Sequence, residues 1–131
     1  MRLRLLVALG LAGSAWAHHS FAMFDMAKSI TINGSVTSFE WTNPHVYIEV
    51  DVPEETGGGV KHWSVELGSP SILMKGGWKF STLKAGSKVT LRINPLRTGE
   101  PGGFLNQATL ADGTVLGNGP GRGPAAPTKK Q

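Results

Sequence analysis

The sequence predicts an all-β protein, a small five-stranded barrel with one short helix between the third and fourth strands. Five segments alternate apolar and polar residues from residue 29 onward, as half-buried strands do. One segment, SPSILMKGG, has the start and stop residues of a helix instead. The chain has 131 residues, enough for one small hydrophobic core. A small β-sandwich is the alternative arrangement of the same strands.

The first strand begins with SITINGSV and changes its phase further on. Ile32 and Val36 lie on one face, whereas Phe39 is out of step with them. One extra residue, at Gly34 or within residues 37–38, would restore the alternation as a β-bulge and bend the strand.

The second and third strands, HVYIEVDV and HWSVEL, form a predicted hairpin around the loop PEETGGG. In the expected register Tyr47 lies opposite Glu66, and His45 lies level with Gly68. His62 then lies near the loop, about six residues or roughly 20 Å from His45. The two histidines therefore cannot share one metal ion, and His62 is interpreted as a solvated hairpin residue.

The helix is predicted to begin with Ser69 as its N-cap and Pro70 in its first turn. Gly76 or the next glycine ends it, and Ile72 and Leu73 anchor it on the core.

KVTLRINP and FLNQATL are the fourth and fifth strands, and the turn ADGT ends the fifth strand or leads to a short sixth. This order suits a partly open barrel of the OB type. The residues of strands two to five predicted to face one side are Val46, Ile48, Val50, Val52, Trp63, Val65, Leu67, Val89, Leu91, Ile93, Phe104, Ala108 and Leu110.

The sequence divides into three regions. Residues 1–17 have a basic start, a short apolar run and an A-x-A ending at Ala17, the pattern of a cleaved signal peptide. Residues 18–116 form the predicted β-barrel domain. Residues 117–131 are rich in Gly and Pro without apolar periodicity, which predicts a disordered tail. We expect a periplasmic or secreted protein with no transmembrane segment in the mature chain.

Composition excludes several functions. The chain contains no cysteine, so disulfides and thiolate sites are impossible. The net charge of +4 comes mostly from the two ends, and basic residues do not cluster on one strand face, which argues against nucleic-acid binding. The spacing of Ser, His and Asp supports no catalytic triad, and the Gly-rich stretches lack the context of a phosphate loop. The sequence therefore favours a non-enzymatic role.

A copper site is the leading functional hypothesis. Cleavage after Ala17 would make His18 the first residue, whose α-amine and ring nitrogen can chelate one metal ion. With His45 as a third nitrogen ligand, the set suits Cu(II) and resembles the histidine brace of copper monooxygenases and copper-binding periplasmic proteins. His19 offers a competing mode through the amine, the intervening amide and its own ring. The alternative is that these histidines bind no metal: His18 and His19 then lie in an exposed, mobile chain end, and His45 forms a hydrogen bond to the backbone.

A polar and aromatic cluster is expected around His45. Trp41, Tyr47 and Glu66 are the candidate outer ligands or supporting partners of the metal, because the hairpin register brings them near this end of the barrel. A second hypothesis makes the protein a non-enzymatic binding module. In that reading Trp41, Tyr47 and Trp78 contact a protein or envelope ligand.

Two weaker metal hypotheses remain. Thioethers of Met23, Met26 and Met74 could bind Cu(I) or Ag(I), although Met74 is more typical of a helix core residue. An oxidative copper enzyme would need an extended substrate face, which the sequence does not indicate.

Five motifs carry a family resemblance: AHHSFAMFD, GSVTSFEWTNPHVYIEV, SPSILMKGGW, LKAGSKVTLRINPLRTG and GGFLNQATLADG. In this order they resemble a family of small exported bacterial proteins whose function is unknown. The resemblance covers residues 17–117 and implies export and a single β-rich domain. It supplies no catalytic residue, but it draws attention to HHSF and NPH.

Overall fold

Six strands and one α-helix follow one another in the computed structural model, which describes residues 21–120. A short 3-10 helix precedes the first strand. The bounds are Phe21–Met23 for the 3-10 helix, Ile30–Glu40 for β1, Tyr47–Pro53 for β2, Val60–Glu66 for β3, Pro70–Lys75 for α1, Lys88–Pro95 for β4, Gly102–Leu110 for β5 and Val115–Gly117 for β6.

The first five strands form a closed barrel in the order β3-β2-β1-β4-β5. The ring closes where Ser64–Glu66 of β3 pair in parallel with Gly102–Phe104 of β5. β6 pairs with β5 and lies outside the ring. The predicted barrel and helix position are therefore confirmed, but the barrel is closed rather than partly open. Gly102 permits the close approach at this closure, because a Cβ atom there would lie 3.1 Å from the carbonyl oxygen of Ser64 on β3.

β1 bends across the barrel and belongs to two strand pairs. Its first half, from Ile30 to Ser35, pairs with β4, and its second half, from Ser35 to Glu40, pairs with β2. The register with β2 shifts between Val36 and Ser38. This confirms the bulge predicted at residues 37–38, and it explains why the two halves of the strand have different phases.

The register of the β2–β3 hairpin is the one that the alternation predicts. Tyr47 pairs with Glu66, and Asp51 pairs with His62. The backbone of Val46 continues the ladder by hydrogen bonds to Gly68 and Leu67, so that the preceding residue, His45, lies at the far end from the loop.

The hydrophobic core fills the barrel, and one prediction about it is wrong. Phe104 is buried outside this core, against Phe24, while its neighbour Leu105 faces inward and is fully buried. A register shift between Arg92 and Ile93 leaves Asn106 as the extra residue of β5, which changes the phase of the strand. The buried core residues are Ile32, Val36, Val46, Ile48, Val50, Val65, Leu67, Leu73, Trp78, Leu83, Val89, Leu91, Ile93, Leu105 and Ala108.

α1 has the predicted caps but a narrower buried face than expected. The Ser69 hydroxyl accepts a hydrogen bond from the Ile72 amide, and Pro70 occupies the first turn. Leu73 is fully buried, whereas the side chains of Ile72 and Met74 are exposed. The predictions that Ile72 anchors the helix and that Met74 is a core residue are therefore wrong. A helix of six residues presents too little surface to bury more than one narrow face.

The chain continues to contact the barrel after β6. Asn118 accepts a hydrogen bond from the Gly68 amide at 2.7 Å and donates one to the Leu105 carbonyl at 2.9 Å. Residues 117–120, the described part of the predicted tail, thus lie against the barrel.

The predicted signal peptide and residues 121–131 lie outside the described residues. Within residues 21–120, no helix is long and apolar enough to cross a membrane.

Candidate functional site

The candidate site lies on the outer surface of the β2–β3 hairpin. Because neighbouring residues of a strand point to opposite faces, the burial of Ile48, Val50 and Val65 in the barrel directs the alternate side chains outward. The outward residues are Tyr47, Glu49, Asp51, His62, Ser64 and Glu66.

His45 is held at one end of this surface by the turn before β2. The Thr42 hydroxyl donates a hydrogen bond to the His45 carbonyl at 3.0 Å. The His45 ring donates from Nδ1 to the carbonyl oxygen of Leu67 at 3.1 Å, since a carbonyl can only accept. The same nitrogen lies 3.3 Å from Oε1 of Glu66. In the neutral ring the lone pair is then on Nε2, the usual arrangement of a metal-binding histidine.

Glu66 connects His45 to Tyr47. Its side chain is largely buried, with 12% of its surface exposed. Burial raises the pKa of the Tyr47 phenol, and the negative charge of Glu66 and a hydrogen bond to it raise that pKa further. A buried carboxylate is costly without partners, and these two neighbours supply them.

A second polar network surrounds His62, near the hairpin loop. Its Nδ1 lies 2.9 Å from Oδ1 of Asp51, and its Nε2 lies 2.9 Å from Oε2 of Glu49. The Ser64 hydroxyl donates to the other Glu49 oxygen at 2.6 Å. The hydrogen bond to Asp51 is the main cause of a raised His62 pKa; burial opposes this increase, and Glu49 adds to it. The network favours the doubly protonated ring, because each ring nitrogen then donates to a carboxylate.

The segment before β1 lies beside the same surface. The ring of Phe21 packs edge-to-face on Phe104 with 5.1 Å between ring centroids, and Phe24 packs on it at 5.5 Å. Phe104 is the parallel partner of Glu66, so their side chains point to the same side of the sheet. The first described residue, Phe21, therefore contacts the β5 residue that is paired with Glu66.

An open groove of about 550 Å³ runs between this segment and the hairpin. Met23 and Leu96 form part of an apolar wall, while Tyr47 and Glu66 form part of a polar one. None of the described residues lining it is lysine or arginine. The groove has the size of a small-ligand site and an acidic character.

One protein family matches the sequence. DUF6152, a family of unknown function, matches residues 6–106. The chain belongs to this family. The match includes the AHHSF segment and four of the five strands of the barrel, and ends within the fifth. Neither the curated proteins nor the solved structures contain a significant match to the chain.

In this family member, the structure brings together three of the residues that the sequence singled out: His45, Tyr47 and Glu66. Trp41 instead packs on Phe39, with 5.6 Å between ring centroids, against the barrel core. His18 and His19 lie outside the described residues.

The aromatic face proposed for a binding module needs correction. Trp78 is 1% exposed and its indole nitrogen donates to the Gly117 carbonyl at 2.8 Å. It is a core residue and cannot contact a ligand together with Tyr47. The methionines are also spread out: Met23 lines the groove beside Tyr47, Met26 lines another cavity, and Met74 is exposed on α1.

Sequence reasoning gave no role to Glu49 and Asp51, although the alternation and the hairpin register placed both on the outward face of β2, with Asp51 opposite His62. Phe104 was assigned to the core, so its contact with Phe21 was not foreseen.

Within residues 21–120, no three His, Asp or Glu side chains are arranged to hold one metal ion.

Proposed function

We propose that this protein is exported to the periplasm and binds copper through its mature amino terminus together with His45. After cleavage at Ala17, the α-amine and ring nitrogen of His18 would supply two ligands, and Nε2 of His45 the third. Three nitrogen donors in a T-shaped set suit Cu(II), which forms the most stable complexes among the divalent first-row metals.

The position of Phe21 carries this proposal. Its ring is held on Phe104, whose backbone neighbour across the parallel pair is Glu66. His18 lies three positions before Phe21 in the sequence, and an extended chain of that length spans at most roughly 10 Å. Adjacent strands lie about 4.8 Å apart. These spacings support a first residue of the mature chain that reaches His45.

The surroundings of His45 support a role as ligand. Its Nδ1 donates to the Leu67 carbonyl, with the Glu66 carboxylate also near this nitrogen. Such partners orient a metal-binding imidazole and make its other nitrogen a better donor. The acidic surface formed by Glu49, Asp51 and Glu66 also favours the approach of a cation.

Copper titration of the processed protein tests the proposal. The protein is exported in a bacterial host, and mass spectrometry should find His18 as its first residue. We expect His45→Ala to weaken Cu(II) binding at least about tenfold, because removing a direct ligand should cost no less than removing an outer partner. Competition with a chelator of known affinity measures the change, and circular dichroism checks that the variant is folded.

His62→Gln is the matched control, since His62 lies at the other end of the same hairpin. It should leave copper affinity unchanged. Equal affinity in His45→Ala and the unmodified protein would assign binding to the peptide end alone, through His18 and His19. Either that result or a different first residue would contradict the proposed site.

A further inference from the structure

The outer surface of β2 and β3 is an acidic sheet face. Glu49, Asp51 and Glu66 lie on it, and none of the six described residues that point outward from the hairpin is lysine or arginine. Glu100 borders the adjoining groove. The histidines at the two ends, His45 and His62, provide partial charge compensation when protonated.

The chain itself carries a segment of opposite charge. Residues 121–131, GRGPAAPTKKQ, contain Arg122, Lys129 and Lys130 and no Asp or Glu. It also contains Pro124 and Pro127, and proline favours extended backbone conformations in general. Less conformational entropy is therefore lost when such a segment binds along a strand surface.

The described chain ends next to the acidic face. Asn118 is fixed to Gly68 and Leu105 by two hydrogen bonds, and Pro120 lines a cavity together with Phe104. Phe104 is the parallel partner of Glu66. The segment that follows Pro120 thus starts beside the strand partner of Glu66.

The segment is also long enough to cover the face. Residues 62–66 of β3 span about 13 Å at 3.3 Å per residue. Arg122 follows Pro120 by two residues and can reach Glu66. Lys129 follows it by nine residues, an extended reach of at most roughly 30 Å, and can pass the whole length of the face.

We infer that residues 121–131 dock on the outer face of β2 and β3. Arg122 lies at the Glu66 end, and Lys129 and Lys130 lie at the end with Glu49 and Asp51. The covalent link supplies an effective concentration on the order of millimolar, which makes weak surface ion pairs sufficient. The inference does not depend on copper binding.

Paramagnetic relaxation enhancement tests this docking in the metal-free mature chain. Because the chain has no cysteine, Thr128→Cys creates a single attachment site for a nitroxide. At low salt we expect selective broadening of the amide signals of residues 47–51 and 62–66. Salt at about 0.5 M should remove the broadening, since it screens exposed charges beyond a few ångströms.

Two charge variants of the spin-labelled chain separate docking from general attraction. Replacing Arg122, Lys129 and Lys130 by Gln should abolish the broadening. The matched control replaces Lys75, Lys79 and Lys84, which are exposed on and after α1, by Gln and should retain it. Broadening that survives the first substitution, or is lost equally in both variants, would overturn the inference.

A mixed sample distinguishes docking within one chain from association of two chains. It combines isotope-labelled protein without nitroxide and unlabelled protein with nitroxide. We expect no broadening of residues 47–51 in this sample. Broadening as strong as in the single-chain experiment, or its absence from both experiments, would refute intramolecular docking.

Discussion

At the scale of single residues, the two histidines of the hairpin have different surroundings although they lie on the same sheet surface. His45 donates to a backbone carbonyl, with one carboxylate nearby. His62 lies between two carboxylates, Asp51 and Glu49. The first arrangement fixes the orientation of the His45 ring, whereas the second stabilises a charged imidazolium at His62.

His62 should make stability depend on pH. Its pKa is raised in the folded protein, mainly by Asp51, so its contribution is complete below the unfolded value of about 6.5 and disappears as pH rises through the folded value. We expect His62→Gln to cost about 0.2–1 kcal/mol at about pH 5.5, the size of an exposed ion pair, and less at about pH 9. Urea unfolding at both pH values measures the difference.

The carboxylates provide the control for this prediction. When Glu49→Gln and Asp51→Asn are both present, His62→Gln should have the same effect at both pH values. A cost of His62→Gln that does not change with pH in the otherwise unmodified protein would disprove the role of the ion pairs.

At the scale of elements, the bent strand β1 determines how the barrel closes. Gly34 lies where β1 stops pairing with β4 and begins to pair with β2. A Cβ atom there would contact the Asp51 carbonyl oxygen and lie 2.6 Å from Cγ2 of Val50. A side chain at this position would therefore force apart two paired strands.

Gly34→Ala should destabilise the barrel by about 1–3 kcal/mol, the cost of overpacking a rigid site. Gly59→Ala is the matched substitution in the β2–β3 loop. Its new Cβ would meet first the flexible carboxylate of Glu54 at 3.1 Å, so we expect a change within about 0.5 kcal/mol. Chemical denaturation measures the free energy of unfolding of both variants. Equal losses of stability would contradict a steric requirement for glycine at position 34.

At the scale of the whole molecule, contacts distant in sequence determine where the amino-terminal segment lies. The backbone of Asp25 donates to the Pro95 carbonyl, and that of Arg97 donates to the Met23 carbonyl. With Phe21 on Phe104, these contacts fix the segment across the closure of the barrel, beside Glu66. Such pre-organisation would strengthen binding at the proposed copper site by reducing the entropy lost when that site forms.

Phe21→Ala should weaken Cu(II) binding without removing any ligand. An edge-to-face pair contributes about 0.5–1.5 kcal/mol, which corresponds to a loss of about two- to tenfold in affinity. Phe80→Ala is the control, because Phe80 is also exposed, by 73% compared with 57% for Phe21. Chelator competition compares the two variants, and equal affinities would contradict a fixed amino-terminal segment.

Much of the candidate site could be predicted from local patterns. The alternation of apolar and polar residues, together with the position of the β2–β3 loop, was enough to place Tyr47 opposite Glu66. His45 follows beyond this pair, at the end away from the loop. The error at Phe104 arose because a bulge at Asn106 shifts the phase of β5, and alternation alone cannot show which partner strand absorbs an extra residue. The exposure of Ile72 and Met74 depends on how a six-residue helix meets the barrel.

The sequence by itself determined the strands, the helix caps, the hairpin register and the absence of cysteine chemistry, because each depends on neighbouring residues or on composition. Only the tertiary structure decided that β3 and β5 close the ring, that Trp78 is buried, and that Phe21 packs beside Glu66. These features depend on contacts between residues far apart in the chain, whose formation is governed by close packing and strand register rather than by local preference.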